Sequence, residues 1–194
     1  MIRGILVRLR EAKEEDVDNV VQWVQHEEFQ FFLMGDPLVS RQNLRELLLH
    51  QTNNPSRYES VINFIIETRR KGEPIGLVRL HSISWKNRTA SIEVFITEGK
   101  QNLPYGPDAL LTAAGFAFHE LNLQKICAVI FAYNKRSIHV AERSGAKREV
   151  VLRKNIYRKG KYHDVYGYGL FRDDYEKLLE DIKDTFLGGT TPRG

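Results

Sequence analysis

A turn that opens a long apolar helix is the segment of this sequence best suited to binding an anion. It runs from Gln101 to Asp108 and follows a segment of alternating side chains. The first backbone N–H groups of a helix have no partner within the helix, and the helix dipole favours negative charge there. Gly106 permits close approach of a ligand, and Pro107 suits the first helical turn. The turn therefore indicates phosphate binding; a rigid structural turn is the alternative.

Two further patterns flank this turn. Before it, Thr89 to Thr97 alternates with the period of two that marks a strand, and Glu93 lies on its less apolar face. A carboxylate among strand-forming residues is a candidate general base; a charge on a solvent-facing strand surface is the alternative. After it, an apolar strand from Lys125 to Phe131 leads into a short helix that Asn134 caps and Gly145 ends.

The remaining periodicity predicts a mixed α/β domain. We expect the element order β-α-α-β-β-β-α-β-α-β-β-α, with residues 1–187 in one domain and residues 188–194 in a flexible C-terminal tail. The expected early elements are a strand Ile5–Leu9, a helix Glu14–Gln25, a helix capped by Ser40 with Leu44, Leu47 and Leu48 inward, and strands Val61–Thr68 and Ile75–Ile83. The late ones are strands Arg148–Tyr157 and Val165–Phe171 and a final helix capped by Asp173 and Asp174.

Composition excludes several classes of protein. Of the 194 residues, 42% are hydrophobic and 28% charged, which excludes wholesale disorder. No apolar run approaches the roughly 20 residues that span a bilayer, and the first residues lack the apolar core of a signal peptide. A single cysteine, Cys127, cannot form an internal disulfide, so we expect a cytoplasmic location. The six histidines show no metal-ligand spacing, so we expect no metal site.

The net charge of +4 suits an anionic ligand, and a nucleic acid is the competing explanation. The basic run from Arg153 to Lys161 contains Tyr157, and Tyr162 follows it. Because Gly160 marks a turn between two predicted strands, we interpret the run as a solvated hairpin tip.

The order of these motifs, from about Ile5 to Phe171, resembles the GNAT superfamily of acyl-CoA-dependent N-acyltransferases. The pyrophosphate loop of that family has the pattern [Gln/Arg]-x-x-Gly-x-[Gly/Ala]. Gln101 matches its first position and Gly106 its last, whereas Pro104 replaces the middle glycine. The later pattern Asn-x-x-Ser-x-x-x-x-Glu-x-x-Gly is similar to the branch that includes ribosomal-protein N-terminal acetyltransferases, and it is met by Asn134, Ser137, Glu142 and Gly145.

The resemblance implies a fold and a donor. The fold would be a mostly antiparallel, splayed central sheet of about six to seven strands flanked by helices, with acetyl-CoA where the Glu93 strand and the Lys125 strand separate. Main-chain groups of Phe95, Ile96 and Thr97 would hold the pantetheine arm and polarise the thioester carbonyl. The pyrophosphate would bind the Gln101 side chain and the backbone N–H groups that prolines do not remove, namely those of Asn102, Leu103, Tyr105, Gly106 and Asp108. Asn134 would add a contact with the pantetheine or with the leaving thiol.

The resemblance also implies proton-transfer roles. Glu93 would be the general base, acting through water. Many members of the family use a tyrosine seven residues after the asparagine as the acid, but Ala141 occupies that position. The identity of the acid remains open: it is Ser137, a displaced tyrosine such as Tyr105 or Tyr133, or no protein group at all.

The acceptor wall of this family lies between the first two helices, where Glu28, Phe29 and Phe31 occur. Acidic and aromatic groups together suit a cationic amine; a core-forming role is the alternative for Phe31. The sequence thus predicts an acetyl-CoA-dependent N-acetyltransferase, monomeric or homodimeric, acting on a primary amine such as a protein N-terminus, a polyamine or an aminoglycoside. A non-catalytic CoA-binding module, motivated by Pro104 and Ala141, and a basic nucleic-acid binder are the alternatives.

Overall fold

Eight strands form one sheet, and helices cover both of its faces. The computed structural model describes residues 1–26, 40–49 and 61–187. The strands are β1 Ile2–Arg3, β2 Val7–Glu11, β3 Ile62–Thr68, β4 Pro74–Ser84, β5 Thr89–Ile96, β6 Lys125–Phe131, β7 Lys147–Arg158 and β8 Lys161–Phe171. The helices are α1 Val17–Gln25, α2 Arg41–Leu49, α3 Tyr105–Gly115, α4 Lys135–Arg143 and α5 Arg172–Leu187, with a 3-10 turn at Glu14–Asp16 and a π-helical turn at Phe116–Glu120.

The strand order is β1-β2-β3-β4-β5-β6-β8-β7, and every neighbouring pair is antiparallel except β5 and β6. The mixed α/β, mostly antiparallel fold is therefore confirmed. The sheet has one strand more than the six to seven expected, because Ile2–Arg3 pairs with β2. Two residues are too few to show an alternating pattern in the sequence.

The parallel pairing of β5 with β6 is unusually short. It joins Thr89 to Lys125, Ala90 to Ile126 and Ser91 to Cys127, and it ends there. By contrast, β6 pairs with β8 over seven residue pairs. Beyond Ser91 and Cys127 the two strands separate, and we call this opening the fork.

Alanines bring α3 close to one face of the sheet. Ala109, Ala113, Ala114 and Ala117 are completely buried against the side chains of Ile92 and Ile96 and the rest of the main core. Leu110 and Leu111 of this helix are only partly buried. Small side chains permit a short distance between helix and sheet, so they occupy the inner line of contact.

Helices α1 and α2 cover the opposite face over the N-terminal half of the sheet. Their buried residues pack around Ile65 and against Phe95. The cap at Ser40 is confirmed, since its Oγ accepts a hydrogen bond from the Asn43 N–H at 3.1 Å. Leu44 and Leu48 point inward, but Leu47 is 51% exposed.

The turn between β7 and β8 is a hairpin tip, as expected. Lys159 and Gly160 both have positive φ, at 49° and 76°. Tyr157 and Tyr162 pack on each other there with ring centroids 5.1 Å apart, and both are largely exposed.

Among the helices of the described residues, none is both long and apolar enough to cross a membrane.

A buried ion cluster fixes the start of α1 to the sheet. The guanidinium of Arg10 donates to both oxygens of Asp16, at 2.6 and 2.7 Å, and to Glu67 at 2.5 Å. Arg8 also donates to Glu67, and the Asp16 side chain is 1% exposed. Burial by itself raises the pKa of Asp16 and of Glu67. The arginine hydrogen bonds and charges outweigh burial, so the pKa of each carboxyl lies below its ordinary value.

This cluster predicts a loss of stability in acid. A carboxyl whose folded pKa is lowered contributes stability above its unfolded pKa, and that contribution disappears as the pH falls through the folded value. We therefore expect the urea midpoint to fall progressively below about pH 4.5, the ordinary glutamate value. Glu67→Gln should flatten this dependence, whereas Glu15→Gln, at a side chain 70% exposed, should not. An equally steep dependence in Glu67→Gln would show that the cluster does not set acid stability.

Candidate active site

The backbone of β5 presents unpaired groups to the fork. Thr97 donates its N–H to the Ile75 carbonyl of β4 at 2.8 Å. Because successive residues of a strand point their backbone groups to opposite neighbours, those of Ile92, Val94 and Ile96 point toward the fork. Val94 and Ile96 lie beyond the pairing with β6. The Ile96 carbonyl accepts a hydrogen bond from Gln101 Nε2 at 3.2 Å, and the remaining groups need a ligand or water.

The expected backbone contacts at Phe95 and Thr97 are therefore corrected, because the backbone groups of both residues face β4. The backbone groups of Ile96 point toward the fork, and its contact with the donor stays a prediction. The Phe95 carbonyl faces β4, where a Cβ on Gly76 would stand 2.0 Å from it, so only glycine fits that position. Thr97 also accepts a hydrogen bond from the Lys100 N–H. Phe95 lines the cleft, and its ring packs on the Trp23 ring with centroids 6.0 Å apart.

The fork opens into a cleft of about 800 Å³. Its walls come from β5, β6, the turn before α3 and the first two turns of α4. The predicted residues that line it are Phe95, Ile96, Gln101, Asn102, Leu103, Gly106, Asn134 and Ser137. The sequence motifs thus converge on one cavity.

The predicted phosphate loop has fewer free donors than expected. The Leu103 N–H donates to the Lys100 carbonyl at 3.2 Å, and the Asp108 N–H donates to the Pro104 carbonyl at 3.2 Å. Pro104 therefore begins α3 and accepts its first helical bond. The N–H groups of Asn102, Tyr105 and Gly106 remain as the candidate donors.

Asp108 has a structural role, and its assignment to the donor site is a correction. Its carboxylate accepts the backbone N–H groups of Ile5, Leu6 and Val7 at 3.0, 2.7 and 2.9 Å. These bonds fasten the turn between β1 and β2 to the first turn of α3. The side chain thereby faces the N-terminal strands and does not line the cleft.

Tyr105 also departs from the expectation. Its ring packs against the main core and does not line the cleft. Only its backbone N–H remains a candidate for the donor site.

The opposite wall is the start of α4. Asn134 caps this helix by accepting the Ser137 N–H at 3.1 Å, and Gly145 ends it with φ of 84°. Glu142 of the same motif accepts a hydrogen bond from the Tyr168 hydroxyl at 2.9 Å, which packs the helix on β8. Ser137 lines the cleft.

Arg136 is a cleft residue that sequence reasoning missed. Its guanidinium donates to Gln101 Oε1 at 2.5 Å and to Asn102 Oδ1 at 2.8 Å, across the mouth of the cleft. In the sequence, Arg136 is visible only as a cation two residues after the capping Asn134. The fold places it opposite the loop.

Glu93 lies two residues beyond Ser91, the last residue of β5 that pairs with β6, on the face covered by α1 and α2. Its side chain is 46% exposed. Its Oε1 lies 3.6 Å from Nε2 of His81, and Arg79 is its register partner on β4. Burial lowers the pKa of His81, the Glu93 carboxylate raises it and Arg79 lowers it; the net pKa is below the ordinary value, so the imidazole is neutral at pH 7.

Among the alternative acids, Tyr133 lines the cleft beside Ala141 and Ser137. Its ring packs on Phe131 at 5.3 Å and on His163 at 4.8 Å. Burial raises the pKa of the Tyr133 hydroxyl, which the charge of Arg158 lowers only in part. The phenol is therefore protonated at neutral pH.

The expected acceptor residues Glu28, Phe29 and Phe31 lie outside the described residues. Within residues 1–26, 40–49 and 61–187, no group of three or more histidine, cysteine, aspartate or glutamate side chains is arranged to hold a metal ion.

Curated relatives are N-acetyltransferases by name. A putative ribosomal N-acetyltransferase, YdaF of Bacillus subtilis (strain 168), is 32% identical over 108 residues, which cover 54% of this chain and 57% of the relative. The spermidine N(1)-acetyltransferase of Vibrio cholerae is 28% identical over 141 residues, covering 72% and 78%. An uncharacterized SPbeta prophage-derived N-acetyltransferase, YokL of Bacillus subtilis, is 28% identical over 102 residues, covering 53% and 58%. The chain thus spans little more than half the length of YdaF and YokL.

Solved structures share the fold. The spermidine N-acetyltransferase from Vibrio cholerae, in complex with CoA and spermine, superposes with a TM-score of 0.78 at 23% identity over 88% of this chain and 98% of that one. A GNAT-family acetyltransferase from Bacillus anthracis gives a TM-score of 0.71 at 19% identity over 89% and 98%. A family model described as "Acetyltransferase (GNAT) domain" matches residues 7–147. The chain belongs to the GNAT acetyltransferase family.

Proposed function

We propose that this protein transfers the acetyl group of acetyl-CoA to a primary amine. The observation that carries the proposal is the fork itself, which opens into a cleft with free helix N–H groups at its mouth and a carboxylate beside its apex. The names of the relatives support the same chemistry, because they are N-acetyltransferases.

The mouth of the cleft suits the diphosphate of the donor. A Cβ built on Gly106 would meet only the Ile96 Cγ1, at an ordinary 3.7 Å, and its φ is not in the left-handed region. The fold therefore tolerates a side chain there, and the glycine is better explained by a ligand that approaches the backbone. The N–H groups of Asn102, Tyr105 and Gly106 and the positive end of α3 would bind the phosphate oxygens.

The inner part of the cleft suits the pantetheine arm. Ile92, Val94 and Ile96 on β5 and Ala128 and Ile130 on β6 supply apolar walls, and the backbone of β5 supplies hydrogen-bonding groups. The arm can extend no farther than the apex, where Ser91 pairs with Cys127. The thioester would therefore lie near Glu93.

In this proposal Glu93 receives the proton that the amine loses. As the amine nitrogen bonds to the thioester carbon and the carbon–sulfur bond breaks, one proton leaves nitrogen and the sulfur departs as a thiolate. Glu93 would accept the proton from nitrogen through water, and Ser137 or Tyr133 would protonate the thiolate. A thiol has an ordinary pKa of about 8.5, so the thiolate leaves readily and the acid matters less than the base.

Relatives suggest two acceptor classes. Vibrio cholerae spermidine N(1)-acetyltransferase suggests a polyamine, and the putative ribosomal N-acetyltransferase suggests a protein N-terminus. An α-amine has a pKa of about 7.7–8.0 and a lysine-type amine one of about 10.4, so an α-amine needs less help from a weak base. Thiol release from acetyl-CoA over a panel of spermidine, spermine, aminoglycosides and peptide N-termini tests both classes. Tight CoA binding without acceptor-dependent release across the panel would replace this proposal with a non-catalytic module, and salt-sensitive RNA binding without CoA binding would indicate a nucleic-acid binder.

Gly106→Val should weaken acetyl-CoA binding with little loss of fold, because the branched side chain occupies the space of the phosphate. We expect at least a tenfold rise in the dissociation constant by calorimetry. Asp108→Asn is the complementary variant: it should lower the thermal midpoint, by loosening the turn at residues 5–7, and weaken acetyl-CoA binding much less than Gly106→Val does. Unchanged affinity in a folded Gly106→Val protein would overturn the phosphate loop.

Glu93→Gln should lower kcat by about 10²-fold, at the lower end for a lost general base because the carboxylate is half exposed. The KM for acetyl-CoA should change little, since the side chain is not a donor contact. Glu176→Gln is a matched control, because Glu176 is 41% exposed and also faces a histidine, His119, but lies on α5. Full activity of Glu93→Gln from pH 6 to 9 would assign the base to water or another residue.

Tyr133→Phe and Ser137→Ala test the two acids that line the cleft. Whichever hydroxyl protonates the thiolate should lower kcat on removal, by less than Glu93→Gln does. Tyr105→Phe should be without effect, because its ring packs in the core. If Tyr133→Phe, Ser137→Ala and their combination all keep wild-type kcat, no protein acid is needed.

A further inference from the structure

A chain of hydrogen bonds crosses the mouth of the cleft. The Ile96 carbonyl at the end of β5 accepts a bond from Gln101 Nε2 at 3.2 Å. Gln101 Oε1 accepts one from Arg136 Nη1 at 2.5 Å, and Asn102 Oδ1 accepts one from Arg136 Nη2 at 2.8 Å. Arg136 belongs to α4, which follows β6, so this chain connects the two arms of the fork. We call Gln101, Asn102 and Arg136 the clasp.

The clasp holds a cation on neutral partners. Arg136 is exposed, and in the part of the chain that the structure describes no carboxylate forms an ion pair with it. Its two guanidinium nitrogens donate to the side-chain amide oxygens of two adjacent residues, and two oxygens of a phosphate can replace these acceptors. Guanidinium bonds to a charged phosphate are roughly twice as strong as bonds to neutral acceptors, and they fit in pairs.

The clasp also occupies the route of the donor. Gln101 and Asn102, which bind the guanidinium, belong to the loop that would bind the diphosphate through its backbone N–H groups. The Ile96 carbonyl, which points toward the fork, is held by Gln101. A donor whose arm enters between β5 and β6 must therefore displace this bridge.

Resting on the proposed function, we infer that Arg136 moves from Gln101 and Asn102 to a phosphate group of acetyl-CoA when the donor binds. The clasp keeps the mouth closed in the free protein and releases in exchange for phosphate. Selectivity for phosphate-bearing donors over bare pantetheine thioesters follows, because only the former offer the guanidinium a replacement.

The experiment compares two ligands and four proteins. Binding of CoA is measured by calorimetry, and binding of pantetheine, which lacks phosphate, by ligand-observed NMR at millimolar concentration. The proteins are wild type, Arg136→Gln, Arg136→Lys and Arg143→Gln, and a thermal scan checks that each is folded. Arg143 is the matched control because it carries the same charge on the same helix and does not line the cleft.

We expect Arg136→Gln to weaken CoA binding by about ten- to a hundredfold, as for a lost hydrogen bond to a charged group. Pantetheine binding should be unchanged or tighter, since the bridge that it must displace is gone. Arg136→Lys should recover part of the loss, and Arg143→Gln should match wild type.

Equal weakening of CoA and pantetheine would assign Arg136 a purely structural role, and unchanged CoA affinity would show that it does not reach phosphate. Either result overturns the inference while CoA binding by wild type keeps the proposed function. Failure of wild type and Arg143→Gln to bind CoA would overturn both.

Discussion

The rest of the site depends on the early end of hydrogen bonding between β5 and β6. Three residue pairs hold these parallel strands together, and β6 then follows β8 instead of β5. Backbone groups of Val94 and Ile96 are left facing an opening instead of a strand. Unpaired backbone groups are unfavourable unless water or a ligand satisfies them. A gap in a sheet therefore suits an extended molecule that forms hydrogen bonds. The pantetheine arm of a CoA thioester is such a molecule.

The loop at the mouth is positioned by contacts remote from any ligand. Asp108 fastens the start of α3 to the turn before β2 through three backbone N–H groups. Alanines seat the same helix against β5, and Gly76 lets β4 approach the Phe95 carbonyl. These contacts fix the first turn of α3, where Gly106 lines the cleft. Pro104, which removes one donor, begins the helix at φ of −75° and so takes part in the same positioning.

The departures from the family pattern are physically tolerable. Pro104 removes one N–H among several, and the fold adds a guanidinium, that of Arg136, on the opposite wall. Ala141 removes the usual acid, but Tyr133 and Ser137 line the same cleft. Holding donor and amine together can supply about 7–11 kcal/mol, whereas one general acid contributes about 10²–10⁴-fold, or roughly 3–5 kcal/mol. Positioning therefore outweighs the loss of one proton donor.

The sequence by itself determined most of the element types, the caps at Ser40 and Asn134, and the family, because periodicity, capping residues and the loop motif are local signals. The expected cap at Asp173 and Asp174 is wrong, since the last helix begins at Arg172 and includes both in its first turn. It did not determine which backbone groups are free. The hydrogen bond from Thr97 to Ile75 shows that the backbone groups of Thr97 and Phe95 face β4 and not the fork. One such bond fixes the direction of every backbone group along a strand, because the direction alternates from residue to residue. Long-range contacts likewise pair Asp108 with the N-terminal turn. They also bring Arg136 to the loop, where its partners are 34 and 35 residues away in sequence. Such pairings depend on how separate elements pack, and no local pattern of residues encodes them.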